Sequence, residues 1–370
     1  MRTMFCCILL SAASAFATVT VSSPTSGSSF GSPVHFVATS TSTCASGVSA
    51  MGIYTAPYVL AYTVSGSSLN TYLSLAAGTY NTVVQEWDNC GSSTKTAVTI
   101  TVQSSTSTSS VPLSSHVYLV VEENHSYSSV IGSSSMPYLN SLATKYGLAT
   151  HYYANTHPSI GNYFMLSAGQ IITNNDGLCS TITQDNVVRH LLTAGKTWKA
   201  YAESLPYAGY TGCDVYPYVK HHNPLAYFSD VANSSEKYNV VPFTQFAKDL
   251  TNSNLPAYSF IVPNMLHDGH DGSLSTADSW LKTNIAPLLA STTFQKDGLL
   301  IIVFDESAGS DTQYGGGHVA MVIVGPKVKP GYKSSILYQH QNTLKTMMNA
   351  LGLATFPGAA GSAPAMTDMF

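Results

Sequence analysis

Two short apolar runs each end on a cluster of side chains that bind hard cations. VYLVV at 117–121 runs into Glu122, Glu123, Asn124 and His125, and LLIIVF at 299–304 runs into Asp305 and Glu306. Oxygen donors of this kind, with imidazoles nearby, suit a divalent cation that polarises a phosphoryl group. Between the two runs lies Ser159, in THPSIGNYFMLSAG at 156–169, just ahead of an apolar helical stretch. A serine at a helix N-terminus faces unpaired N–H groups and the positive end of the helix dipole, a setting that favours an anion. The same position also fits an ordinary helix cap. Histidines complete the set: His221 and His222 in KHHNP, His267 and His270 with Asp268 and Asp271 in LHDGHDG, and His318 in GGGHVAMVIVGP. A lone histidine is usually a satisfied core residue, but five beside carboxylates imply chemistry.

Something must hold these groups together. Continuous apolar runs of this length read as strands buried on both faces, in a sheet covered by helices. Strand-like runs at 117–121, 197–202, 257–262, 299–304 and 319–324 alternate with helical stretches at 136–146, 187–194, 242–252, 277–290 and 340–351. That alternation predicts an α/β fold with a largely parallel sheet flanked by helices. In such sheets the ligand site lies beyond the carboxyl ends of the strands, which is where the two carboxylate clusters fall.

Residues 18–103 have a different character. ATVTVSS, PVHFVATS, YVLAYTVS, NTVVQEW and KTAVTITV are separated by Ser, Gly, Pro and Asn, a pattern that predicts a β-sandwich. LAAGTYNTVVQEWDNCG resembles the closing strands of bacterial immunoglobulin-like domains. His35 and Glu86 are isolated there and are expected to be solvated; the sandwich is expected to act as a spacer or to touch a surface or polymer. SSTSTSSVPLSS at 104–115 reads as a flexible linker, so the expected division is 1–17, 18–103, 104–115 and 116–370.

The net charge of −4, with 9% charged residues, offers no basic face for nucleic acid. Arg2, an apolar stretch at 4–10 and small residues through Ala17 make a secretory signal peptide, with Ala13-Ser14-Ala15 or Ala15-Phe16-Ala17 as the cleavage site. A periplasmic or extracellular location follows, and no later stretch is apolar enough to span a bilayer. Cys6 and Cys7 would leave with the signal. Cys44, Cys90, Cys179 and Cys213 remain, enough for two disulfides, and the expected division favours Cys44–Cys90 and Cys179–Cys213 among the three pairings.

Taken in order, ENHSY, HPSIGNYFMLSAG, KHHNP, PNMLHDGHD, FDE and GGGHVAMVIVGP resemble the phosphoesterase family of bacterial acid phosphatases and phospholipases C, relatives of the alkaline phosphatase superfamily. The resemblance runs from His116 to Phe370, through YQHQNTLKTMMNALGL and the terminal MTDMF. It implies an alkaline phosphatase-like fold, a divalent metal ion held by Glu123, Asn124, Ser159, Asp305 and Glu306, and a phosphate ester substrate. It makes Ser159 the nucleophile and gives His221, His222 and His270 the phosphoryl oxygens or the leaving group. Asn162, His157 and His318 would be substrate-side residues, with Asp268 and Asp271 adjacent. Gly161 stands where many relatives have Pro, and Glu306 where some acid phosphatases have Asp.

The implied reaction proceeds through a phosphoseryl intermediate, and protonated His221 and His222 would give it an acidic optimum. Acid phosphatase-like action on small esters is the first expectation. A phospholipase C, with the Tyr-rich loop 201–218 as a lipid-facing rim, is the second, and a non-catalytic surface-binding protein the third. A serine esterase would need G-x-S-x-G and a zinc peptidase H-E-x-x-H; neither occurs.

Overall fold

The computed structural model describes residues 17–103 and 110–370. Nearly all of the expected signal peptide and half of the expected linker lie outside the described residues.

The first eight strands are β1 (Thr18–Ser23), β2 (Ser29–Phe30), β3 (Val34–Thr41), β4 (Val48–Ala56), β5 (Val59–Ser65), β6 (Ser68–Leu73), β7 (Gly78–Asp88) and β8 (Ser93–Val102). They form a three-stranded sheet, β1-β3-β6, and a five-stranded sheet, β2-β8-β7-β4-β5. Val34, Phe36 and Leu69 of the first sheet share one core with Met51, Ile53, Val84 and Ile100 of the second. Glu86 corrects the sequence expectation. It falls on the inward phase of β7 with Thr82 and Val84, so it is buried rather than solvated. His35 stacks on Tyr72 with ring centroids 4.2 Å apart.

Ten further strands follow: β9 (Val117–Glu122), β10 (Gly147–Ala149), β11 (Tyr152–Tyr153), β12 (Trp198–Ala202), β13 (Val240–Pro242), β14 (Tyr258–Val262), β15 (Leu299–Phe304), β16 (Met321–Val324), β17 (Tyr332–Ser334) and β18 (Tyr338–Gln339). Eight of them make one sheet in the order β13-β12-β14-β9-β15-β16-β10-β17. Only β16 pairs antiparallel with its neighbours, so the other seven strands share one direction. Every residue of β9, β14 and β15 is buried, as the unbroken apolar runs require.

Helices pack around this sheet at the expected places. Their ends follow local capping: the helix Leu274–Ala290 starts three residues before the expected 277 because the Ser273 hydroxyl accepts from Thr276 N. The helix His340–Ala350 begins in a capping box made by Gln339 and Asn342. The disulfides join Cys44 to Cys90 and Cys179 to Cys213.

The two sheet systems touch. Met165, Ile171 and Ala359 join the core of the first eight strands. Ser74 Oγ donates to Leu337 O at 2.7 Å, and Ile171 N to Leu60 O at 3.3 Å.

Candidate active site

Strand register builds the site. Phe304 pairs with Glu122, and Asp305 N donates to Glu122 O at 2.9 Å, so Glu123-Asn124 and Asp305-Glu306 leave adjacent strands side by side. On the other flank β14 pairs with β9, and Glu123 N donates to Asp268 O at 2.8 Å. Asn124 takes a left-handed backbone, φ 53°, one of the few conformations Asn accepts more readily than other residues. Its N–H donates to Asp305 Oδ1 at 3.2 Å.

Ser159 is the first residue of the helix Ser159–Ala168, and the cap position belongs to Pro158. The serine therefore does not act as a cap. Its buried Oγ lies 3.2 Å from Glu123 Oε2 and 3.2 Å from Glu306 Oε1, with the Asn124 amide at 3.5 Å. One hydroxyl proton cannot serve two carboxylates at once. Glu123 Oε1 accepts from the Tyr163 hydroxyl behind it, and His222 Nε2 lies 3.3 Å away without a hydrogen bond among the described residues. Glu306 Oε2 faces His157 Nδ1 at 2.6 Å, and His157 Nε2 lies 2.9 Å from Asp311 O.

This concentration of oxygens is the test of metal fit. Burial, then the neighbouring charges of Asp305 and Asp268, push Glu123 well above the usual carboxylate range. Burial and Glu306 do the same to Asp305, whose Oδ2 has no hydrogen-bond partner among the described residues. With its nitrogen turned inward, Asn124 donates to Glu306 Oε1 at 3.0 Å and Glu123 Oε2 at 3.2 Å while accepting from His270 Nε2 at 3.1 Å. With its oxygen inward it adds one more acceptor to the ring. A cation suits such a set, and these donors fit one. Elsewhere among the described residues, three ligand atoms of His, Cys, Asp or Glu come within 4.8 Å of one another only at Cys44, Asp88 and Cys90, where the sulfurs are bonded to each other. The three carboxylates of the candidate site, Glu123, Asp305 and Glu306, do not close to that limit by themselves.

The histidines divide by position. His222 stacks on Tyr163 at 5.0 Å, with Nδ1 3.4 Å from Asp268 Oδ2. His221 packs edge-on against His222 at 4.5 Å, and its Nδ1 lies 3.8 Å from Asp214 Oδ2. Burial pushes His222 down to about 3, and burial with the neighbouring His222 pushes His221 down to about 4. The direction runs against the protonated role expected of them. His270 sits at the open side, its Nδ1 2.8 Å from Asp271 Oδ1 and its Nε2 toward Asn124. Burial raises Asp268 to about 7.

Two expected substrate-side residues do other work. Asn162 is fully buried; its Oδ1 accepts from Asn155 N and Thr156 N, and its Nδ2 donates to Thr156 O, which holds the turn leading to His157 and Ser159. His318 lies between Tyr127 and Tyr153, at 4.3 and 4.8 Å, with Nε2 3.0 Å from Thr150 O. Its neighbours are aromatic rings, and no described hydrogen bond joins it to the carboxylates.

Sequence reasoning missed Tyr163, Asp176 and His340. Asp176 Oδ1 accepts from Ile160 N at 3.0 Å, on the first turn of the serine's helix. His340 Nε2 lies 2.5 Å from Asp305 O. Tyr163 was legible, since it follows Ser159 by one helical turn. Asp176 reaches the site from the loop after the serine's helix and His340 from the first position of a distant helix, and nothing in their local sequence marks them.

The phosphoesterase family matches residues 133–354. The chain is 36% identical to the phosphatidylinositol-3-phosphatase of Mycobacterium tuberculosis, over 71% of this chain and 85% of that one. It is 32% identical to an acid phosphatase of Aspergillus fumigatus, over 62% of this chain and 53% of that one, so it spans about half the fungal protein's length. Among solved structures, the lipoteichoic acid synthase LtaP of Listeria monocytogenes shares the fold, with a TM-score of 0.51 and 10% identity over 69% of this chain and 78% of that one.

Proposed function

The chain belongs to the phosphoesterase family and is a hydrolase of phosphoric esters; on that footing we propose that it is a secreted, acid phosphatase-like enzyme that cleaves phosphate monoesters through Ser159. The observation that carries this reading is the Ser159 hydroxyl, 3.2 Å from one oxygen of Glu123 and one of Glu306 at the first turn of a helix. Glu123, Asn124, Asp305, Glu306 and Ser159 would hold a divalent cation. When bound, that cation would supply the positive charge that lowers the serine's pKa and offsets the charge of the phosphoryl oxygens.

The remaining steps fall to the chain's own residues. Ser159 Oγ attacks phosphorus as its proton passes to the Glu306 carboxylate, the bond from phosphorus to the alcohol breaks, and His270 Nε2 on the open side donates a proton to the leaving oxygen. Water then attacks the phosphoserine and gives a proton to His270, the bond from phosphorus to Ser159 Oγ breaks, and Ser159 regains its proton from Glu306. His222 and Asp268 orient Glu123 from behind, Asp271 orients His270, and His221 lines the wall beside Asp176. His157 keeps Glu306 turned toward the serine. The two disulfides and the leader-like first residues support export to the periplasm or beyond the cell.

One observation favours a second reading, a phospholipase C-type diesterase. Tyr207 and Tyr216 are each 61% exposed, and Val215 and Leu266 are exposed beside them, so the loop next to His270 offers an apolar rim. Tyr216 OH donates to Asp271 Oδ2 at 3.0 Å, which ties that rim to the candidate acid. The same rim suits a monoester on an amphiphilic alcohol, in keeping with the name of the mycobacterial relative.

Parallel assays on p-nitrophenyl phosphate and p-nitrophenyl phosphorylcholine separate the readings. The monoester is expected to be hydrolysed, with phosphate trapped on Ser159 by acid quench and lost in Ser159→Ala. Preference for the choline diester would move the assignment to the second reading. Full activity in Ser159→Ala would end both, and silence of the folded, metal-loaded protein on both esters would favour the non-catalytic binding protein.

A further inference from the structure

A cleft of about 390 Å³ opens between the first eight strands and the loop after Glu306. Tyr62 of β5 and Asn70 and Tyr72 of β6 form one wall; Thr312, Gln313 and Tyr314 form the other. β5 and β6 are the edge strands of their sheets, so the cleft runs along the open side of the sandwich. Its size falls in the roughly 300–1,000 Å³ range of small-molecule sites. None of the residues lining it carries a charge.

Three details set it apart from a chance gap. Tyr72 is braced on one side by the stacked ring of His35, whose Nε2 lies 2.8 Å from Asn70 Oδ1. Tyr314 holds a left-handed backbone, φ 55°, which is costly for a bulky side chain and persists only where its surroundings enforce it. Those surroundings are Tyr153, whose ring centroid is 4.3 Å away, and Gln339, which donates to Tyr314 O at 3.1 Å. The Tyr314 ring meets that of Tyr72 edge to face, with centroids 6.3 Å apart, so the two rings close one end of the cleft together.

We propose that this cleft is a binding site for a neutral saccharide, a segment of a polysaccharide rather than the phosphate ester. A pyranose ring has apolar carbon–hydrogen faces and a polar rim. It stacks on tyrosine while its hydroxyls take hydrogen bonds from amides and hydroxyls, and Asn70, Thr312 and Gln313 supply these. An anionic or cationic ligand would find no countercharge among the lining side chains, and a purely apolar one would leave the amides unpaired. The site gives the expected polymer contact of the sandwich a location and a chemistry, and it does not depend on the phosphoesterase mechanism. It also lies close to that mechanism in the chain: Gln313 N donates to Asp311 Oδ1, and Asp311 O bonds His157.

Affinity electrophoresis of the full protein through gels containing laminarin, soluble starch or hydroxyethylcellulose tests this. At least one neutral polymer is expected to retard the protein. Tyr72→Ala is expected to weaken that binding about tenfold or more, Gln313→Ala to weaken it less, and Tyr72→Phe to preserve it. Tyr58→Ala, on a different face of the sandwich, should leave it unchanged. Hydrolysis of p-nitrophenyl phosphate should be the same in the wild type and Tyr72→Ala, which also checks that the variant is folded. No retardation by any of the three polymers, retardation only by a polyanion such as alginate, or retardation insensitive to both Tyr72→Ala and Gln313→Ala would each overturn the proposal.

Discussion

His157 Nδ1 stands 2.6 Å from Glu306 Oε2, and that contact leaves Glu306 Oε1 facing the Ser159 hydroxyl at 3.2 Å. Burial alone would push His157 down, but the Glu306 carboxylate and the Asp311 carbonyl outweigh it and hold the imidazole above its ordinary value. In the proposed site His157 therefore turns the carboxylate as a partner behind a metal ligand does. Replacing it with Ala should cost about 10–100-fold in kcat or in metal affinity, as loss of such partners usually does. Kinetics run across metal concentrations would show which. An unchanged enzyme would mean Glu306 is held by other contacts.

Chelation should interact with pH in a defined direction. Glu123, Asp305 and Asp268 bind protons more tightly in the folded chain than in the unfolded one, chiefly because they are buried. Their contribution to stability is complete below the unfolded carboxylate range and is lost as pH rises through the folded value, about 7 for Asp268. Chelated protein should thus melt at a lower temperature near pH 8 than near pH 5, and added divalent cation should restore it near pH 8. Melting curves with and without chelator decide this; equal midpoints at both pH values after chelation would contradict it.

His221 and His222 should stay neutral well into acid, since burial pushes them to about 4 and about 3. Imidazole resonances in the chelated protein should show neither of them titrating between about pH 5 and 8. A midpoint near 6 for either would restore the protonated role that the sequence suggested.

The Cys179–Cys213 bridge closes a separation of 34 residues and should contribute about 2–4 kcal/mol. Cys179 O also accepts from Lys220 Nζ at 2.7 Å, and Asp214 Oδ1 accepts from Lys220 N at 2.7 Å, one residue before His221. Replacing both cysteines with Ser should lower the urea midpoint and reduce kcat/KM together. A lower midpoint with unchanged kinetics would make the bridge structural only.

The sequence disclosed the parallel sheet because unbroken apolar runs such as LLIIVF have few other places to go, and it disclosed the carboxylates because they stand at the ends of those runs. It could not disclose which way Asn162 and His318 turn. Both are polar residues near the serine or the glycine loop, and their roles depend on partners, Asn155 and Tyr127 among them, that only tertiary packing brings close. Glu86 misled for a similar reason: a lone acidic residue reads as solvated until the phase of its strand is known. The burial of His222 and the partial burial of His221 were equally hidden, because desolvation belongs to the fold and not to the dipeptide.

A strand that runs with its neighbour must be reached by a crossover of a dozen or more residues, usually a helix, whereas one that runs against it needs only a hairpin. Within the eight-stranded sheet β16 is the one strand that runs against its neighbours, so residues 305–320 leave the sheet beside the serine and return on the same edge without crossing a face. Asp305 and Glu306 stay anchored at the end of β15, and the stretch beyond them packs on the turn ahead of Ser159, where Gly316 N donates to Ala154 O and Asp311 O faces His157. One stretch of chain between two strands therefore serves both a carboxylate beside the serine and, through the Asp311 carbonyl, the histidine that turns that carboxylate.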